Sequence, residues 1–284
     1  MAIIDFRVRP PAGGFLSMLL YSDGARRDRL TRQHGFEPAP SAIERSMPLL
    51  LAEMDRAGVT SGVVIGRNSG PLGSIANEAV MEIVRAHPGR FIGVASIDPS
   101  NRKAACAEIT RVVAAGMRAV NIEPGSYPQP LMVDDRRLYP IYAHLEDKNV
   151  PVIIMAGGSA GPNLGYTAPE NLDRVAADFP SLKIVVSHGG WPWVHQMLHI
   201  AYRRENVFLS PDQYLAGLPG HDDYVNAANG FLSDRFIYAS SYPFLPVDAY
   251  AAWFKRLPIK PEAMEKILWR NAARLLGIEQ QTTP

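Results

Sequence analysis

The chain has 284 residues, 47% of them apolar and 20% charged, enough to bury a large core in one α/β barrel or at most two smaller domains. Its 29 Lys and Arg against 28 Asp and Glu give a formal charge of +1, so no overall field draws nucleic acid or an anionic membrane. The lone cysteine, Cys106, excludes an internal disulfide and a multi-cysteine metal site. It also fits a reducing compartment, and with no basic leader and no apolar run of about 20 residues, the expected location is cytoplasmic.

Strand-like runs alternate with helical ones from end to end, the pattern of a parallel sheet with crossover helices. Eight strands are predicted near Ile3–Arg7, Gly62–Ile65, Phe91–Ser96, Ala119–Ile122, Val152–Met155, Ile184–Ser187, Val207–Leu209 and Phe236–Ala239. Most are unbroken apolar runs, as in strands covered on both faces. Ser41-Ala42-Ile43-Glu44 has capping-box spacing and predicts a helix start, with Gly58 closing that helix. His87-Pro88-Gly89, Gly116 and Pro180 stop the next helices, and Pro261 opens a last one running to about Leu276 before Gly277. Eight strand–helix units in one 284-residue domain predict a (β/α)8 TIM barrel spanning residues 1–284. The segment 10–40 exceeds an ordinary βα loop and predicts a lid or an oligomer contact. Its apolar residues Leu16, Met18 and Leu19, taken as exposed, predict a homodimer or higher homo-oligomer.

Five motifs stand in order on these elements. They are Asp5-x-Arg7-x-Arg9-Pro10, the strand Val150–Gly157, Lys183-Ile-Val-Val-Ser187-His188-Gly-Gly190, Phe236–Phe244 with Ser240-Ser241-Tyr242-Pro243, and Asn271–Gly277. Together they resemble the amidohydrolases of the amidohydrolase-related, decarboxylase- and lactonase-like branch over nearly the whole chain. The resemblance implies a TIM barrel with an active site at the C-terminal mouth. It also implies that Arg7, Arg9, Met155, His188 and Ser241 stand where the family places metal ligands. Only His188 of the five is a good ligand, and a catalytic zinc needs about three plus an open position. The expectation is therefore no metal and no other cofactor. One zinc or manganese at an atypical site recruiting Glu123 and Asp212 is the alternative.

The residues carry a chemistry of their own. Arg7 and Arg9 lie two apart on one strand and are expected in an inward row with Asp5. They either grip a carboxylate of the substrate or are neutralised by Asp5 and Glu123. His188 ends the sixth strand and is the candidate general base, favoured by neighbouring arginines that keep it neutral. Glu123 and Asp212 are the candidate catalytic carboxylates. Met155, Ser241, Tyr242 and Tyr214 complete the predicted substrate-binding set, whereas Arg67-Asn68-Ser69-Gly70 reads as an ordinary turn. These features predict a metal-independent hydrolase of a small carboxylated substrate, of lactone or cyclic-ester type. The alternatives are a decarboxylase and a non-catalytic, acid-binding or retired barrel.

Overall fold

A computed structural model describes residues 2–278; Met1 and residues 279–284 lie outside it. Seven parallel strands pair in sequence order: β1 (Ile3–Val8), β2 (Val59–Ile65), β3 (Phe91–Ser96), β4 (Val120–Ile122), β5 (Val152–Met155), β6 (Ile184–Ser187) and β7 (Val207–Ser210). The predicted eighth strand holds its place without forming a full ladder. Its segment bridges β7 at Phe236 and β1 at Tyr242. Ile237 N donates to Leu209 O at 2.9 Å and Phe6 N donates to Tyr238 O at 3.1 Å, which closes the ring. The fold is a single-domain TIM barrel with helices alternating around the sheet.

Two apolar layers follow from strand alternation. Ile4, Phe6, Val63, Ile65, Val94, Ile153, Val185, Phe208 and Ile237 fill the barrel together with Ala272, Ala273, Leu275 and Leu276 of the last helix, a plug built from that helix. Val64, Val120, Ile154, Val186 and Leu209 face outward into the larger core under the helices.

Local signals are met with two changes. The expected capping box is not one: Ser46 caps the helix Met47–Ala57 by accepting from Leu49 N at 3.3 Å, and Gly58 closes it at φ 77°. Ser41 instead turns inward, bonding Glu53 and, at 2.8 Å, the Tyr242 hydroxyl. The final helix runs from Pro261 to Leu276 as expected, with a π turn over Lys266–Arg270 and Gly277 at φ 64°.

The segment 10–40 folds as short helices, the longest being Gly24–Gln33. Met18 is buried and Leu16 and Leu19 are half-buried against the barrel, so they do not supply the exposed patch from which a homo-oligomer was expected. Among the described residues no helix is long and apolar enough to cross a membrane.

Candidate active site

The barrel mouth is assembled where strands end. Along β1 the register changes between Asp5 and Val8, with Asp5 opposite Gly62 and Val8 opposite Val64. That extra residue is a bulge, and it re-aims side chains. Phe6 stays with the inner apolar core while Arg7 reaches across the barrel to β6, its Nη1 donating to Ser187 Oγ at 3.0 Å. Asp5 therefore does not join the arginine row. Its carboxylate accepts from Ser240 N at 2.9 Å, Ser240 Oγ at 2.5 Å and Arg7 N at 3.2 Å, and burial pushes its pKa up to about 6. It fastens β1 to the closing segment and neutralises neither guanidinium.

Glu123, at the end of β4, is the internal counter-charge. It accepts from Arg67 Nε at 2.7 Å and from Asn121 Nδ2 at 3.1 Å, and lies 3.6 Å from Arg7 Nη2. Burial raises its carboxyl, but Arg67 and Arg7 outweigh that and hold it below the usual range. Arg67 belongs to the site, not to a turn: it is 7% exposed and lines the mouth. Sequence reasoning passed over it because its partner lies two strands away. The signal available was an arginine directly after a strand, at the catalytic end of a barrel.

Arg9 has a different environment. It is 6% exposed, and its Nη1 donates only to Ser241 O at 3.3 Å and Ser241 Oγ at 3.5 Å. Phe244 lies beneath it, with the guanidinium carbon 5.8 Å from the ring centroid. No carboxylate among the described residues pairs with it. Burial, then the neighbouring Arg7 and Arg67, lower its pKa well below the usual arginine value. A buried guanidinium does not give up its proton readily, so an anion entering the mouth would relieve the same stress.

His188 and Asp212 follow β6 and β7, both with left-handed backbone at φ 62° and φ 47°. Such strain in non-glycine residues concentrates at functional sites. Ser241, after the closing segment, shares it at φ 60°. His188 Nδ1 lies 2.9–3.0 Å from the two oxygens of Asp212. A neutral ring whose Nδ1–H donates to Asp212 keeps its lone pair on Nε2. Burial lowers the His188 pKa; Asp212 works against this, and Arg7 and Arg9 reinforce it. Burial and the two guanidiniums thus favour the neutral form of the imidazole.

His188, Arg9, Arg67, Met155 and Tyr214 line one cavity of about 390 Å³. Tyr214 stacks on Trp191 at 5.2 Å and meets the His188 ring edge-on at 4.9 Å. Asp212 and Glu123 stand behind this lining, each holding a residue that faces the cavity. The opposite wall comes from the 10–40 segment, through Met18, Leu19, Leu20 and Leu30. Two predicted residues have other places. Ser241 is buried and holds Arg9 without lining the cavity. Tyr242 belongs to the outer core, its hydroxyl turned to Ser41, so it is not a substrate contact.

A family model described as amidohydrolase matches residues 4–278. The chain belongs to the amidohydrolase family. An uncharacterised TIM-barrel protein from Bordetella bronchiseptica is 53% identical, with a TM-score of 0.95 over 98% of this chain and 99% of that one. A gamma-resorcylate decarboxylase from a Polaromonas species is 22% identical over 90% of this chain and 87% of its own. A dihydroxybenzoic acid decarboxylase from Polaromonas, solved with bound manganese and the inhibitor 2-nitroresorcinol, shares the fold at a TM-score of 0.69 and 18% identity, covering 98% of this chain and 97% of that one.

The metal of that relative raises the question of fit. His188 has Nδ1 occupied, Glu123 is bonded to Arg67 and Asn121, and two further guanidiniums bring positive charge to the same small volume. Among the described residues, no three His, Cys, Asp or Glu side chains gather in a way that could hold a metal ion. This donor set does not fit a divalent cation, which prefers several neutral or anionic ligands and is repelled by guanidinium.

Proposed function

We propose that this protein is a metal-independent enzyme that adds water across a bond of a small carboxylated substrate, a lactone or cyclic ester. One observation carries the reading. The imidazole of a buried His–Asp pair and a buried arginine that no carboxylate among the described residues pairs with line the same cavity, at the catalytic end of a barrel of an enzyme family.

The substrate carboxylate docks on Arg9. His188 Nε2 accepts a proton from water, Asp212 holds the imidazolium that forms, and the water oxygen attacks the acyl carbon. The carbonyl oxygen gains the negative charge and is stabilised by the guanidinium of Arg67, which faces the cavity, backed by Arg7. The ring C–O bond breaks, and His188 returns its proton to the departing alkoxide. The product is an open hydroxy acid.

A second reading is decarboxylation, favoured by the similarity to gamma-resorcylate decarboxylase over 90% of the chain. It requires His188 to protonate a ring carbon as CO2 leaves, a task for which an imidazole held neutral is less suited. Incubation with carboxylated lactones and with hydroxybenzoates separates the two. Ring-opened acid without CO2, lost in His188→Gln, is expected; CO2 release abolished by the same variant would establish the second reading. No turnover of either class would leave only an acid-binding barrel.

A further inference from the structure

The cavity has two halves of opposite character. Near the strand ends lie three guanidiniums, Arg7, Arg9 and Arg67, facing two carboxylates, Glu123 and Asp212, with His188 inclined to its neutral form. Arg7 and Arg67 share Glu123, Asp212 is taken by His188, and Arg9 is left with no acidic partner among the described residues. Arg27 higher up is already neutralised by Asp28 at 2.7 Å, and Arg26 is exposed, where solvent screens it.

Above this lies an apolar collar. Leu19 and Leu30 from the 10–40 segment, Leu72 after β2 and Leu218 after β7 come from three separate loops. All four are half-buried: packed enough to be held, yet left partly open on the cavity side. Apolar surface kept in water is unfavourable in proportion to its area, and a guest that covers it binds more tightly. A second carboxylate placed among these leucines would be a buried, unpaired charge.

From this juxtaposition we infer that the substrate is a monoanion with a bulky apolar body: its single carboxylate on Arg9, and its body between Leu19 and Leu30 of the covering segment and Leu72 and Leu218 of the rim. The inference rests on the carboxylate-binding reading above and adds the charge and shape of the guest.

Calorimetric titration of the full-length protein with benzoate, 4-tert-butylbenzoate and isophthalate tests it. The tert-butyl group is expected to tighten binding about tenfold or more relative to benzoate, the gain from burying several carbons. Isophthalate is expected to bind more weakly than 4-tert-butylbenzoate by at least that factor. In the double variant Leu30→Ser, Leu72→Ser the ratio of 4-tert-butylbenzoate to benzoate affinity should fall towards one. Equal affinities in the unaltered protein, or a preference for isophthalate, overturn the inference and need no variant to fold. In that case, benzoate binding that is lost in Arg9→Met still upholds the carboxylate site itself. Failure of all three acids to bind, or binding indifferent to Arg9→Met, removes the carboxylate site and this inference with it.

Discussion

The two ends of this barrel are built from the same strands and obey opposite rules. At the closed end Ile4, Phe6, Val185 and Ile237 belong to one apolar cluster with the plug residues Ala272, Leu275 and Leu276. At the open end, one to four residues further along the same strands, stand Arg7, Arg9, Arg67, Glu123, His188 and Asp212, all nearly excluded from water. One end lowers free energy wherever it is touched. The other holds charge in a poorly solvated place, with strained backbone at His188, Asp212 and Ser241 and one guanidinium that no carboxylate among the described residues pairs with. The closed end is expected to carry stability and the open end ligand binding, and the bulge in β1 is the joint between them.

That division is open to direct attack. The largest effect should come from Glu123→Gln, because it removes the counter-charge of both Arg7 and Arg67. Breaking a buried pair by deleting one partner costs about 3–5 kcal/mol, to be read from urea unfolding. It is the one mouth residue expected to behave like the closed end, and a loss below about 1 kcal/mol would mean that the two arginines find other partners. Next, Ile153→Ala inside the barrel should cost about 2–5 kcal/mol through lost burial and a cavity, and should leave ligand affinity nearly untouched. A large change in affinity with little change in stability would invert the comparison.

Arg9→Met should do the reverse. Carboxylate binding should weaken by about 1.5–3 kcal/mol, roughly 10- to 150-fold, the strength of a charge-assisted hydrogen bond. Stability should hold or rise, since a buried cation without an acidic partner is replaced by a packing side chain. The smallest effect is in pH. His188 has its folded pKa below 6.5, so its base form, and the stability tied to that form, are complete above pH 6.5 and decline as pH falls through the lowered value. The acid limb of kcat/KM should therefore lie below pH 6.5 and move upward in Arg9→Met, where one of the charges opposing protonation is gone. A limb that stays still would show that Arg9 does not act on His188.

Much of this was legible before any coordinates. Buried parallel strands are continuous apolar runs, so β3, β5 and β6 were found with their observed bounds, and their ends marked Met155 and His188. Glu123, at a strand end, was the expected carboxylate partner of Arg7 or Arg9; it lies 3.6 Å from Arg7 and does not pair with Arg9. The misses have a common cause, which is that they depend on contacts between parts of the chain far apart in sequence. Asp5 was assigned to the arginine row because alternation along one strand places it there, and only the pairing with β2 reveals the bulge. Arg67 looks like a turn until Glu123 is beside it. Tyr242 was placed in the mouth although its hydroxyl is drawn outward by Ser41, a residue 201 positions away. The leucines of the 10–40 segment read as exposed because local sequence does not show which surface they cover.

An anion held on Arg9 beside His188, in a mouth whose donors do not suit a metal, is the core of the proposed chemistry. It is tested most directly by a crystal structure of the protein soaked with benzoate, collected with anomalous scattering. The account predicts a carboxylate within hydrogen-bond distance of the Arg9 guanidinium, His188 Nε2 facing the same cavity, and no anomalous peak in the mouth. A zinc or manganese peak bonded to His188, with Arg9 turned away from the ligand, would contradict it.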